Sequence, residues 1–130
     1  MLYAILFHHY KWKSAKLGID IMVGTKIGKG FCIGHNSGNV VNASAVIGEN
    51  VMMLQGVTIG GWKGHAPHIG NNVFLGAGSK IIGNVTIANN VVVGANAVVS
   101  HDVPDNAVVA GVPARIISMD GKEKTKNVRG

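Results

Sequence analysis

Long or branched apolar residues recur along this chain at a step of six: Ile21, Ile27 and Ile33, then Val41, Ile47, Met53 and Ile59, then Ile69, Leu75, Ile81, Ile87, Val93 and Val99. The residue four after each marker is again small or apolar in most units, as at Val51, Val57, Val73, Val85 and Val91. The residue three after is of another kind: Gly24, Gly30, Asn36, Ser44, Asn50, Gly56, Asn72, Gly78, Asn84, Asn90, Asn96 and Asp102, with Trp62 the exception. Gly, Asn and Asp tolerate left-handed backbone, so a sharp corner is demanded once in every six residues. A short strand, a corner and another short strand, repeated, predict a parallel β-solenoid with three flat sides, and thirteen markers make a little over four coils.

Counting every third marker assigns the sides. Side one stacks Ile21, Val41, Ile59, Ile81 and Val99; side two stacks Ile27, Ile47, Ile69 and Ile87; side three stacks Ile33, Met53, Leu75 and Val93. Each column is apolar throughout, and coils stack about 4.8 Å apart. The interior is therefore a prism of aliphatic side chains with no room for a ligand, and function must lie on the outside.

Two insertions break the count: two extra residues between Ile33 and Val41, within "FCIGHNSGNVVN", and four between Ile59 and Ile69, within "GGWKGHAPH". In a solenoid, insertions map to corners and commonly carry the binding surface. The first, from side three to side one, holds His35. The second, from side one to side two, holds Trp62, Lys63, His65 and His68. Asp20, just before Ile21, falls at the His35 corner one coil below. A carboxylate there can accept one ring N–H of an imidazole and leave the other nitrogen as a base. The plainer alternative is a solvated turn histidine and a carboxylate that merely starts a strand. Counted two after each marker, this corner reads His35, Gln55, Ala77 and Ala95, a small-residue strip that offers backbone N–H and C=O groups to an extended ligand.

Composition bounds these readings. A chain of 130 residues is one domain near the lower end for a self-sufficient enzyme, which favours an oligomer. With 47% apolar but only 5% aromatic residues and 19 glycines, the core is one of small branched side chains and many turns. The formal charge of +6 suits a phosphate-bearing ligand, whereas the scattered Lys and Arg residues disfavour nucleic acid. Cys32 is the only cysteine, which precludes an internal disulfide and fits the cytoplasm. The start, "MLYAILFHHYKWK", reads as a short helix or docking arm. Its apolar run is too short to span a bilayer and lacks the order of a signal peptide, with surface attachment through Leu2, Ile5 and Leu6 a secondary reading. The expected division is an arm over 1–17, the solenoid over 18–117 and a flexible basic tail over 118–130.

In order along the chain, "DIMVGTKIGKGFCIGHNSG", "LQGVTIGG", "IGNNVFLGAGSKIIGN" and "AGVPARII" resemble the serine acetyltransferase-like branch of the hexapeptide-repeat acyltransferases, over about residues 18–117. The resemblance implies a left-handed β-helix, a homotrimer with active sites between subunits, and transfer of acetyl from acetyl-CoA to a hydroxyl. By position it assigns His35 as the base and Asp20 as its orienting carboxylate. Gly61, Ala77 and Ala95 match backbone contacts to the coenzyme, and Arg115 lies in a signature near it. Lys63 and Lys80 are candidates for the coenzyme phosphates, Gly60 and Gly61 for an oxyanion-binding N–H, and Gln55, Trp62 and His65 for the acceptor. No resident metal is expected.

The chain also departs from the pattern of that branch. Gly34 stands where its serine-specific members have an Asp before the catalytic His, and His65 and Ala66 stand where they have an Arg-His pair. Their long helical amino-terminal domain has no counterpart either. These departures make a sugar or surface-glycan hydroxyl the first expectation for the acceptor and L-serine the alternative. Lower alternatives are a zinc carbonic anhydrase using His65 and His68, covalent catalysis by Cys32, and a non-catalytic scaffold.

Overall fold

The computed structural model describes residues 1–129. Helix α1 (Leu2–Leu17) leads into thirteen short strands: β1 (Ile19–Ile21), β2 (Lys26–Ile27), β3 (Cys32–Ile33), β4 (Asn39–Val41), β5 (Val46–Ile47), β6 (Met52–Met53), β7 (Thr58–Gly60), β8 (His68–Ile69), β9 (Phe74–Leu75), β10 (Lys80–Ile82), β11 (Thr86–Ile87), β12 (Val92–Val93) and β13 (Val98–Val99). After them come β14 (Val108–Ala110), β15 (Arg115–Ser118) and helix α2 (Gly121–Arg129).

Every third strand pairs in parallel, giving sheets β1-β4-β7-β10-β13, β2-β5-β8-β11 and β3-β6-β9-β12-β14. The register joins Ile21 to Val41, Ile59, Ile81 and Val99 on side one, and Ile33 to Met53, Leu75 and Val93 on side three. These are the columns the six-residue count predicts. The alternating geometry of a strand turns each marker inward: Met53, Ile59, Leu75, Ile81, Ile87 and Val93 are fully buried.

Corner chemistry largely follows the sequence at two of the three corners but, above Gly24, not from side one to side two, where Ser44, Asn84 and Asp102 lack the left-handed backbone and Gly83 takes it at φ 94°. Asn50, Asn72, Asn90 and Asn96 all have positive φ, as do Gly24, Gly30, Gly56 and Gly78. At Gly78 a side chain is disfavoured twice, by a φ of 71° and by a Cβ that would lie 2.1 Å from Asn96 Oδ1 of the next coil.

The solenoid completes a fifth coil that the six-residue count stops short of. Val103 bridges to Ile87 on side two and Val109 pairs with Val93 on side three. The step from Val99 to Val103 is four residues, so a fixed period runs out of phase there. The C-terminal segment also differs from the flexible tail expected. Strand β15 turns back antiparallel to β14, and α2 packs on the last coil, with Gly121 N–H donating to Asn106 C=O and Thr125 buried. At the other end, Ile21, Ile27, Phe31 and Ile33 of the first coil are only half-buried. Helix α1 leans on that coil through Phe7, Tyr10 and Ser14 and ends at Gly18, whose φ of 68° makes it both helix cap and solenoid corner. Among the described residues no helix is long and apolar enough to cross a membrane.

Candidate active site

The slip at residues 33–41 resolves into an enlarged corner. Gly34 N–H donates to Met53 C=O, as Leu54 N–H does to Leu75 and Gly76 N–H to Val93, so Gly34 keeps the regular step. Gly38, three before Val41, takes the left-handed corner position at φ 66° in place of Asn36, and it stacks against Gly56. Ser37 C=O accepts from Gly56 N–H, as Gln55 C=O accepts from Gly78 and Ala77 C=O from Asn96. Ser37, Gln55, Ala77 and Ala95 therefore form the column. The forward count put His35 in it; the register makes His35 and Asn36 the two additional residues, pushed outward and exposed.

This corner differs from the one between sides two and three in how its amides are satisfied. There the N–H groups of Glu49, Asn71 and Asn89 each donate to a side-chain oxygen of the next coil, on Asn71, Asn89 and Asp105. Above His35 the N–H groups of Gln55, Ala77 and Ala95 donate to no group among the described residues. Two coil steps, about 10 Å at the sheet spacing, thus carry a row of three unpaired donors that begins one coil above His35. Backbone donors seek partners, and an extended ligand with carbonyls spaced along it satisfies such a row.

Asp20 lies in β1, paired with Val40, and is exposed. Within one chain it makes neither a hydrogen bond nor an ion pair with His35 among the described residues. The titratable group whose behaviour it shapes is Tyr10 on α1: burial first, and the Asp20 charge second, push that phenol above its usual 10.0. Lys80, on side one above Thr58, donates its Nζ to Gly56 C=O at 2.6 Å, which holds the ammonium against the His35 corner. Arg115 is exposed at the start of β15, with its guanidinium donating to Ala114 C=O, and Ala114 N–H donates to Val98 C=O. Cys32 is exposed on the outer face of β3.

Gly60, Gly61, Trp62, Lys63 and His65 lie at the next corner, across side one. Lys63 and Gly64 both have positive φ, and Trp62 and His65 exchange N–H and C=O bonds of 2.8 and 3.0 Å. The insertion is thus a two-residue hairpin of the primed type. Gly61 is required at its base, because a Cβ would lie 2.7 Å from Asn42 Nδ2 and 2.8 Å from His65 C=O. Gly61 N–H donates to no group among the described residues. Lys63 Nζ sits 5.9 Å from the Trp62 ring centre, over a surface pocket also lined by Asn42, Ser44 and His65. Among the described residues no three His, Cys, Asp or Glu side chains gather.

Comparison with known proteins gives this arrangement its relatives. The model of the bacterial transferase hexapeptide (six repeats) matches residues 66–101. Residues 66–101 thus carry the repeat of the hexapeptide transferases. It is 46% identical over 110 residues to the serine acetyltransferase of Staphylococcus epidermidis, a match covering 81% of this chain and 51% of the relative. A solved serine acetyltransferase in complex with CoA superposes with a TM-score of 0.76 at 43% identity, covering 80% of this chain and 44% of that one. A soybean serine acetyltransferase complexed with serine gives a TM-score of 0.76 at 41% identity, over 80% and 44%. The chain thus spans about half the length of the curated relatives it matches.

These matches correct the expected acceptor. The sugar or glycan reading rested on Gly34, on His65 and Ala66, and on the expectation of no helical amino-terminal domain. Relatives bearing the name serine acetyltransferase match at 46% identity all the same, and this favours the alternative. Substitutions confined to one corner and one hairpin leave the solenoid surface of that branch in place, so they are a poor measure of which branch a chain belongs to.

Proposed function

We propose that this chain is the catalytic solenoid of an acetyl-CoA-dependent serine O-acetyltransferase. The observation that carries the reading is the 46% identity to a serine acetyltransferase over 81% of the chain, a span that cannot miss His35. In this reading His35 takes the proton from the acceptor hydroxyl as that oxygen attacks the thioester carbonyl, so that a new C–O bond forms, the C–S bond breaks and the proton passes to the leaving thiolate. The coenzyme lies along the three-to-one edge, with its amide carbonyls on the N–H groups of Gln55, Ala77 and Ala95 and its phosphates near Lys80, Lys63 and Arg115. Gly61 N–H is a candidate donor to the oxyanion.

The two groups of residues suit a shared site. The His35 edge and the Gly61 hairpin lie at opposite ends of side one and do not meet within one chain. A homotrimer that sets the hairpin corner of one copy against the His35 edge of the next completes the constellation. Such packing also encloses two edges that a single chain leaves open.

L-Serine-dependent release of coenzyme A from acetyl-CoA tests the reading. A second test exploits Gly34, which is exposed and has no left-handed φ; the nearest atom to an added Cβ is the end of the flexible Leu54 side chain at 2.7 Å. Gly34→Asp therefore fits once Leu54 rotates, and it supplies the carboxylate that serine-specific relatives carry before their base. A charge-assisted hydrogen bond of about 1.5–3 kcal/mol to the acceptor ammonium corresponds to a KM for L-serine lowered by about tenfold or more, with kcat within about twofold. An unchanged KM would place the amino group away from residue 34.

A further inference from the structure

Asn39 sits at an address where this solenoid otherwise puts small or apolar side chains. Counted two before each side-one marker, the inward corner positions read Ile19, Asn39, Val57, Ser79 and Ala97. Asn39 is the one long polar side chain in the column, and it is completely buried. Burying a carboxamide in an aliphatic prism is costly unless its groups are bonded. Here both ends are used. Its Oδ1 accepts Ser37 N–H at 3.1 Å, and its Nδ2 donates to Leu54 C=O at 2.7 Å.

Those two partners bracket the enlarged corner. Ser37 is the residue that follows the additional pair His35 and Asn36, and Leu54 belongs to the coil above, packed over Gly34 at the start of the turn. On its outer side the turn has a single long bond from Asn36 Nδ2 to Leu17 C=O, at 3.5 Å. At the same corner in the higher coils, where nothing is inserted, Val57, Ser79 and Ala97 occupy the position, and the buried Ser79 hydroxyl has no partner among the described residues, so no such clamp exists. The bonded carboxamide is found only where the turn is two residues too long.

We propose that Asn39 is a positioning residue: its carboxamide ties the enlarged turn to the coil above and so fixes where His35 presents its ring. The proposal rests on His35 being the base. It makes Asn39 the interior counterpart of the insertion, a buried two-ended clamp acting on an exposed turn through the peptide link at Ser37. A misplacement of about 1 Å at a reacting group lowers rate by about 10²-fold, so the clamp need hold the ring only slightly better than a free turn to matter.

Asn39→Val places the side chain of the coil above in the same position. The expected result is a kcat lowered by about 10–100-fold with a smaller change in the KM for acetyl-CoA, because the Ala77 and Ala95 donors are untouched and only the Leu54–Gln55 peptide of the coenzyme edge loses a bond. In a His35→Ala background the same change should lower kcat no further, since the clamp acts only through that ring. Wild-type kcat in Asn39→Val, or an equal further fall in the double variant, overturns the proposal. If His35→Ala itself retains full activity, the reading of the base fails instead, and the two failures are told apart. Hydrogen exchange of the wild-type protein gives the answer without a folded variant: Ser37 N–H is expected to exchange at least about tenfold more slowly than the unbonded N–H of Ala95, and equal rates would refute the clamp.

Discussion

Replacing His35 with alanine should lower kcat for acetyl transfer by about 10²–10⁴-fold, the range a positioned acid–base side chain supplies. The affinity for acetyl-CoA should stay within about twofold. The size of the effect follows from the chemistry. A serine hydroxyl is a weak nucleophile until its proton is removed, and no other imidazole stands at this corner. The selectivity follows from the architecture. The row of N–H donors that the coenzyme would use belongs to later coils, and each of those coils keeps its own ladder bonds when the His35 ring is removed. Steady-state kinetics paired with coenzyme titration read both halves. A variant with wild-type kcat would remove His35 from the mechanism and return it to the status of a solvated turn residue. Alkylation of the exposed Cys32 without loss of rate would separately exclude the thiol as nucleophile.

The second large effect is on stability. Leu75 is fully buried between Met53 and Val93 in the side-three column, so Leu75→Ala removes its contacts from coils both below and above. The expected cost is about 2–5 kcal/mol, a cavity plus the lost transfer energy, against a total stability of about 5–15 kcal/mol for a domain. Ile33 is the same kind of residue in the same column, but it lies at the open first coil and is only half-buried. Ile33→Ala should therefore cost less than half as much in chemical denaturation. An equal loss would mean that the first coil is as tightly enclosed as the middle of the prism.

Most of the architecture was legible because a β-helix writes its geometry into the sequence one unit at a time. The marker at Ile81 had to be apolar because it points into the prism, and glycine suits position 78 because φ is 71° there and the Asn96 side chain of the neighbouring coil lies over it. Where units change length, a fixed count loses phase. The four-residue step to Val103 hid the fifth coil, and counting forward from Ile33 made Asn36 the corner and placed His35 over Asp20 in a column that Ser37 in fact occupies. Counting back from Val41 would have found Gly38 at the corner and exposed Asn39 as the anomalous inward residue. The C-terminal helix was missed for a different reason: "GKEKTKNVR" has little apolar content to bury, and its order depends on Gly121 and Thr125 meeting the last coil.

The site was legible only in part. The histidine at the slip and the small-residue edge could be read from spacing. The contrast between capped and uncapped corner amides could not, because it depends on which side chains of the next coil reach back to each N–H. The acceptor was misjudged for a reason of scale. Gly34, His65 and Ala66 are three positions, and the similarity to serine acetyltransferases runs along four-fifths of the chain.

The central claim, that this solenoid edge moves acetyl from acetyl-CoA to L-serine, meets its most direct test in the rate of coenzyme A thiol release by the purified full chain with and without L-serine, with the acetylated product identified by mass. The account predicts release that saturates with L-serine, yields one O-acetylserine per thiol and is lost in His35→Ala. Release that is indifferent to L-serine, or absent while acetyl-CoA still binds, would contradict it.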